Sequence, residues 1–150
     1  MQFQGELSVK APREHVFEKL KDAHFFASCI EGVRNLSELS PNRYAAQFET
    51  KLAYISFKFA VEVEMTKIES PNCIEAKVEG KPLGIVGRLS AIAITNLAEK
   101  ADETIISYKI DATLAGKLGA IGQPVMKSKA KELERMFVKN LRAAFGQELA

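Results

Sequence analysis

The sequence predicts an α+β domain: a curved antiparallel sheet of about seven strands wrapped around a long C-terminal helix, with two short helices between strands 1 and 2. Three observations carry this reading. Apolar and polar residues alternate through most of the chain, the period of strands buried on one face. The last segment changes period from 2 to 3.6. No other element is long enough to cover the apolar face of such a sheet.

The elements follow in order. Phe3 to Val9 alternates as a strand. In "KAPREHVFEKLKD", Pro12 sits where a helix starts, Glu14 lies in its first turn, and Val16, Phe17 and Leu20 share one side. A second short helix is expected over His24 to Cys29, ended by Gly32. Strands then dominate. "RYAAQFETKLAY" puts Tyr44, Ala46, Phe48, Thr50, Leu52 and Tyr54 on one face. "SFKFAVEVEM" puts Phe57, Phe59, Val61, Val63 and Met65 inward against outward Lys58, Ala60, Glu62 and Glu64. "PNRY" and "SPNC" mark tight turns. "CIEAKVEG" turns Ile74, Ala76 and Val78 inward, and "TIISYKIDATL" does the same with Ile106, Tyr108, Ile110, Ala112 and Leu114. "IVGRLSAIAITNL" is apolar on both faces; Ile92 and Ile94, if outward, mark a subunit contact.

At 100° per residue, Leu118, Gly122, Val125, Met126, Ala130, Leu133, Met136, Phe137, Leu141 and Ala144 form one helical stripe. Lys117, Lys127, Lys131, Arg135, Lys139 and Arg142 lie opposite. A helix from Leu118 to Phe145 would be about 42 Å long. Pro124 requires either a kink near Ala120 or a start near Gln123.

A chain of 150 residues is the size of one domain, here taken as 1–150, and buries enough surface to need no staple. A net charge of +2 excludes a general polyanion binder. The segment from Lys117 to Ala144 nevertheless carries seven basic and two acidic residues. Its basic face (Lys127, Lys131, Arg135, Lys139, Arg142) is read as a solvated helix face, with anionic lipid, nucleic acid or an acidic partner as the functional alternative. No apolar run nears the roughly 20 residues of a membrane span, and the alternating N-terminus is no signal peptide. A cytoplasmic location follows, in which Cys29 and Cys73 stay as free thiols.

No motif assigns catalysis. Cys29 has His15 and His24 as the chain's histidines, and no spacing fixes a Cys–His pair. It reads as a small buried hydrophobe. The same residues lack the paired spacing of a metal site. "GKPLGIVG" and "GKLGAIG" are not phosphate loops. The strand carboxylates Glu62, Glu64, Glu75 and Glu79 face solvent rather than converge. The basic stripe has no interleaved aromatics, so nucleic acid is not expected.

The interior carries the functional signal. Nine Phe and three Tyr accompany inward methionines. Such a lining can adapt to a flexible apolar guest or simply fill a core. Candidate lining residues are Phe48, Phe57, Phe59, Met65, Tyr108, Met126, Met136 and Phe137, with Lys129, Asn140 and Tyr108 as orienting polar groups. Three functions remain in view: a non-enzymatic binder, a cyclase or hydrolase using the same cavity, and an assembly module with a filled core.

Three stretches, "FQGELSVKAPREHVFEKLKD", "CIEGVRNL" and "AGKLGAIG", make the chain resemble the carbon monoxide dehydrogenase G-subunit family over its whole length. That family is a branch of the START-related, polyketide cyclase-like (SRPBCC) superfamily with the helix-grip fold. It typically has Cys-Ile-Pro-Gly where this chain has Cys29-Ile30-Glu31-Gly32. The resemblance makes Cys29 part of a helix-to-strand corner. It implies a cavity for a lipid or quinone-like molecule, no required cofactor, and a link to molybdenum hydroxylases that the family helps recruit to the inner face of the cell membrane. Members that anchor there tend to carry a C-terminal extension. This chain stops at Ala150, so anchoring by a tail is not expected, and contact through the basic helix face is the membrane alternative to a solvated face.

Overall fold

The computed structural model describes residues 1–146. The chain runs β1 (Gln2–Val9), α1 (Arg13–Lys21), α2 (Ala23–Ser28), β2 (Val33–Ser40), β3 (Arg43–Leu52), β4 (Ile55–Glu69), β5 (Cys73–Pro82), β6 (Gly87–Lys100), β7 (Glu103–Gly116), a 3₁₀ turn (Lys117–Ala120) and α3 (Gln123–Ala144). The seven strands form one antiparallel sheet ordered β1-β7-β6-β5-β4-β3-β2. Strands β2 to β7 are a meander of hairpins. α1 and α2 carry the chain from β1 at one edge to β2 at the other.

The helix signals act as expected, with small shifts. Val16 and Phe17 of α1 are fully buried. α2 starts one residue before its expected place, because Asp22 caps it: its Oδ1 accepts from the backbone N–H of His24 at 3.0 Å and of Phe25 at 3.2 Å. Of the two alternatives at Pro124, the start near Gln123 is realised, with Pro124 in the first turn. α3 is thus 22 residues, about 33 Å, rather than 42. Ala144, placed on the inner stripe, is exposed.

Gly32 turns the α2–β2 corner at φ +97°, where an L side chain is strained. Its carbonyl accepts from Glu49 N–H at 3.0 Å, and a Cβ there would run into the Glu49 carbonyl.

Tyr54 is a correction. It is not on the inner face of β3 but fully exposed at the β3–β4 tip. Ala53 and Tyr54 both have positive φ, 50° and 68°, and Leu52 pairs with Ile55 across them. This is the twist that two-residue hairpin tips demand. It ends the alternation two residues early.

Apolar burial divides into two clusters. One joins β1, α1 and the C-terminal part of α3 around Leu7, Val9, Val16, Phe17, Ile106 and Leu141. The other joins Leu52, Phe59 and Leu118 with partly buried neighbours at the opposite end of the sheet. Thr104, fully buried, donates from Oγ1 to the Ala11 carbonyl at 2.7 Å and so meets the demand of a buried hydroxyl.

Two stability outcomes follow. Leu141→Ala removes a fully buried side chain and is expected to cost about 2–5 kcal/mol in urea unfolding. Gly32→Ala is expected to lower the urea midpoint as well, while a substitution at exposed Gln123 leaves it unchanged.

Candidate functional site

The sheet registers define rows of inward side chains. Val61 pairs with Ala46 and Gly80, and Gly80 with Leu89, at the edge of the Phe59–Leu118 cluster. The next row is Tyr44, Val63, Val78, Ala91 and Ala112. Beyond it come Met65, Ala76, Ala93, Ile110 and Phe3. Of these two central rows, only Met65 belongs to either cluster. Most of their side chains point inward yet are only half-buried. Ala76, Ala91, Ala93 and Ala112 keep this floor low. The sheet centre is thus a shallow apolar floor between two packed ends.

α3 faces it. Met126, Ala130, Phe137 and Leu141 follow one another along the inner stripe. Glu134 sits among them, and Tyr108 Oη donates to its Oε2. Tyr108 reaches α3 because its β1 partner is Gly5. A Cβ on Gly5 would lie 2.5–2.8 Å from the Tyr108 phenol. Glycine there makes room for the ring to cross the strand. The carboxylate keeps free lone pairs for a second donor. This pair can therefore orient the polar head of a mostly apolar molecule.

Glu134 was missed by the helical pattern, because a carboxylate counts as outward until its partner is known. The other residues singled out disperse. Phe48 and Phe57 stack against buried Phe59 with centroids 6.3 and 6.1 Å apart, and Met126 joins their cluster. Met65, Tyr108 and Phe137 pack on the other cluster, where Phe137 also meets Phe26 at 4.9 Å.

Three proposed lining residues turn elsewhere. Met136 faces the α2–β2 corner, its sulfur accepting from Glu31 N–H at 3.0 Å. Asn140 donates to the Cys29 carbonyl at 2.9 Å. The Lys129 ammonium lies 2.8 Å from Glu132, one turn along the helix.

Of the basic face, Lys127, Lys131, Arg135 and Lys139 are exposed. Arg142 is not: its guanidinium donates twice to the Ser8 carbonyl, at 3.1 and 2.9 Å, and clips α3 to the β1 edge. Ile92 and Ile94 do point outward, Ile92 more than half exposed.

Cys29 is buried, whereas His15 and His24 are exposed. Burial pushes the Cys29 thiol up from its ordinary range, against a smaller opposing pull from Ser28 and Lys19. Burial is also the largest cause that raises Cys73, opposed by Lys67 and reinforced by Glu75 and Glu69. A raised thiol is a poor nucleophile at neutral pH. Among the described residues, no group of three or more His, Cys, Asp or Glu could hold a metal ion, and no helix is long and apolar enough to cross a membrane. An open groove of about 960 Å³ runs along α3 beside β1, lined by Glu6, Ser8, Glu134, Arg135, Val138 and Arg142 among others. Glu134 is therefore reachable from outside.

Comparison with known proteins bears on this geometry. Residues 5–146 match the family of the carbon monoxide dehydrogenase G subunit (CoxG). No curated protein matches the chain. It is similar to a conserved protein from Geobacillus kaustophilus, with 26% identity, a TM-score of 0.88, and coverage of 97% of this chain and 95% of that one. A Chromobacterium violaceum protein shares 18% identity at a TM-score of 0.70, covering 95% of each chain. A Rhizobium loti protein shares 10% identity at 0.70, covering 93% of this chain and 96% of that one. The last two likenesses speak to the fold alone.

Two outcomes test the site. Tyr108→Phe and Glu134→Ala should each lower stability by about 1–3 kcal/mol, with the double variant falling short of their sum because both remove the same bond. At pH 7, iodoacetamide should label both cysteines slowly in the folded protein and quickly in urea. Rapid native labelling of Cys29 would overturn the buried-thiol assignment.

Proposed function

The chain belongs to the CoxG family, that of the carbon monoxide dehydrogenase G subunit, and from that membership we propose that it holds an apolar small molecule, a quinone or a lipid acyl chain, between the sheet and α3. The half-buried central floor carries this reading. Side chains that face a covering helix are ordinarily buried, and here all of two rows but Ala112 are not. The apolar part of the guest would lie over Val63, Val78, Ala91 and Ala93. Its polar head would meet Tyr108 and Glu134, a few polar groups in an otherwise apolar lining being the usual composition of such sites.

We read the chain as a non-enzymatic accessory protein. The two members of its titratable pair, Tyr108 and Glu134, are already hydrogen-bonded to each other. The family name supports a partner of the carbon monoxide dehydrogenase type, a molybdenum hydroxylase, for which the chain would carry or present the guest in the cytoplasm near the membrane. The outward Ile92 and Ile94 favour a second reading, an assembly module that meets such an enzyme through the outer sheet face.

Native mass spectrometry with organic extraction tests the first reading. Purified protein, or protein incubated with decylubiquinone and a fluorescent fatty acid, is expected to hold one molecule per chain. Ala93→Leu raises the floor and should weaken uptake about tenfold, roughly 1.4 kcal/mol, with the urea midpoint confirming the fold. Clean apo protein with no uptake from either probe moves the assignment to the assembly module.

A further inference from the structure

The loop end of the sheet exposes apolar side chains that the fold does not use. At the β3–β4 tip Tyr54 is fully exposed and Ile55 is 59% exposed. In the β5–β6 turn Leu83 and Val86 are 57% and 80% exposed. The two turns lie side by side. Leu83 N–H donates to the Lys58 carbonyl at 2.8 Å, and Phe59 pairs with Pro82. The 3₁₀ turn joins them, Lys117 N–H donating to the Val86 carbonyl at 3.0 Å. Single exposed apolar residues are ordinary, but four large ones at one end form a patch that marks an interaction surface.

Charge at the turns themselves is of one sign, with Glu49 further back as the cross-strand partner of Lys58. The segments 50–59, 80–89 and 113–123 contain Lys51, Lys58, Lys81, Arg88 and Lys117, and no Asp or Glu. Arg88 lies 3.5 Å from Glu79. The four lysines take part in none of the ion pairs among the described residues. Apolar tips therefore accompany four lysines outside those ion pairs, Lys51, Lys58 and Lys81 on the strands and Lys117 in the 3₁₀ turn.

That arrangement suits a fluid anionic surface better than a folded partner. Two hairpin tips protrude, and a bilayer accepts protrusions without a matching pocket. A tyrosine ring is at home at headgroup level. Lysines set behind the tips would meet the lipid phosphates. We propose that the chain docks on an anionic phospholipid bilayer through its β3–β4 and β5–β6 turns. Tyr54, Ile55, Leu83 and Val86 enter the headgroup layer, and Lys51, Lys58, Lys81 and Lys117 face the phosphates. Docking in this way differs from contact through the basic face of α3. It stands apart from the apolar-guest reading, except that it turns the loop end of the interior toward the lipid.

Sedimentation with vesicles tests it. The purified chain should bind phosphatidylcholine vesicles containing 30% phosphatidylglycerol and not pure phosphatidylcholine, and binding should weaken with added salt. Two tip variants, Tyr54→Ser with Ile55→Ser and Leu83→Ser with Val86→Ser, alter exposed side chains and should fold as the parent. Each should reduce the partition coefficient at least tenfold. Lys51→Glu with Lys81→Glu should do the same, and Arg135→Glu with Lys139→Glu should leave binding unchanged. Undiminished binding by both tip variants, or loss confined to the Arg135/Lys139 variant, overturns the proposal. So does absence of vesicle binding, including the case where the chain binds only an acidic protein. Ala93→Leu should bind vesicles normally, so failure of guest uptake and failure of docking are read separately.

Discussion

One helix has to cover one face of a seven-stranded sheet, and the rest of the structure follows from that mismatch. Seven strands at about 4.8 Å spacing would span about 29 Å if flat, whereas a helix with its side chains is about 10 Å across. The sheet can hide its apolar face only by curling until its two edges approach α3. Apart from the Tyr108–Glu134 bond to β7, the observed polar contacts of α3 with other elements lie at those edges. Arg142 clips it to β1 through the Ser8 carbonyl. Asn140 and Met136 clip it to the α2–β2 corner beside the other edge. A helix held at both rims is suspended over the centre, so the central rows stay half-buried while the ends pack.

That geometry explains what could be read from the chain and what could not. Alternation in "SFKFAVEVEM" and "TIISYKIDATL" reports directly which side chains face inward, because a strand's parity is local. Parity is silent about where a strand ends when the turn lacks Gly, Pro or Asn. Ala53-Tyr54 is such a turn, and Tyr54 was carried to the wrong face. β2 has no clear alternation to read. It is bulged against β3, with Asn35 at φ +56°.

The site was legible in outline and not in its polar detail. Aromatic and methionine positions marked the interior, but the registers sort them into two clusters rather than one lining. Glu134, Asn140 and Arg142 each owe their place to a partner more than twenty residues away in sequence. Helical phase puts Glu134 at the border between the apolar stripe and the basic face, and there Tyr108 Oη donates to its carboxylate. Cys29 is the same lesson in reverse. Its thiol drew attention by chemistry, yet the atom that matters to the fold is its carbonyl, which receives Asn140.

The two ends of α3 are held by different forces, and this gives the interior a direction. The C-terminal part is fixed by hydrogen bonds to backbone carbonyls and by the fully buried Leu141. The N-terminal part follows Gly116 and Gly122, both at positive φ, and rests mainly on apolar contacts of Leu118, Ile121, Val125 and Met126. Apolar contacts are non-directional and survive a small sliding movement; hydrogen bonds to a strand edge do not. Local opening therefore costs least where α3 begins. That end also bears the exposed Tyr54, Ile55, Leu83 and Val86, so the part of the roof most easily lifted lies beside the part of the surface least suited to water.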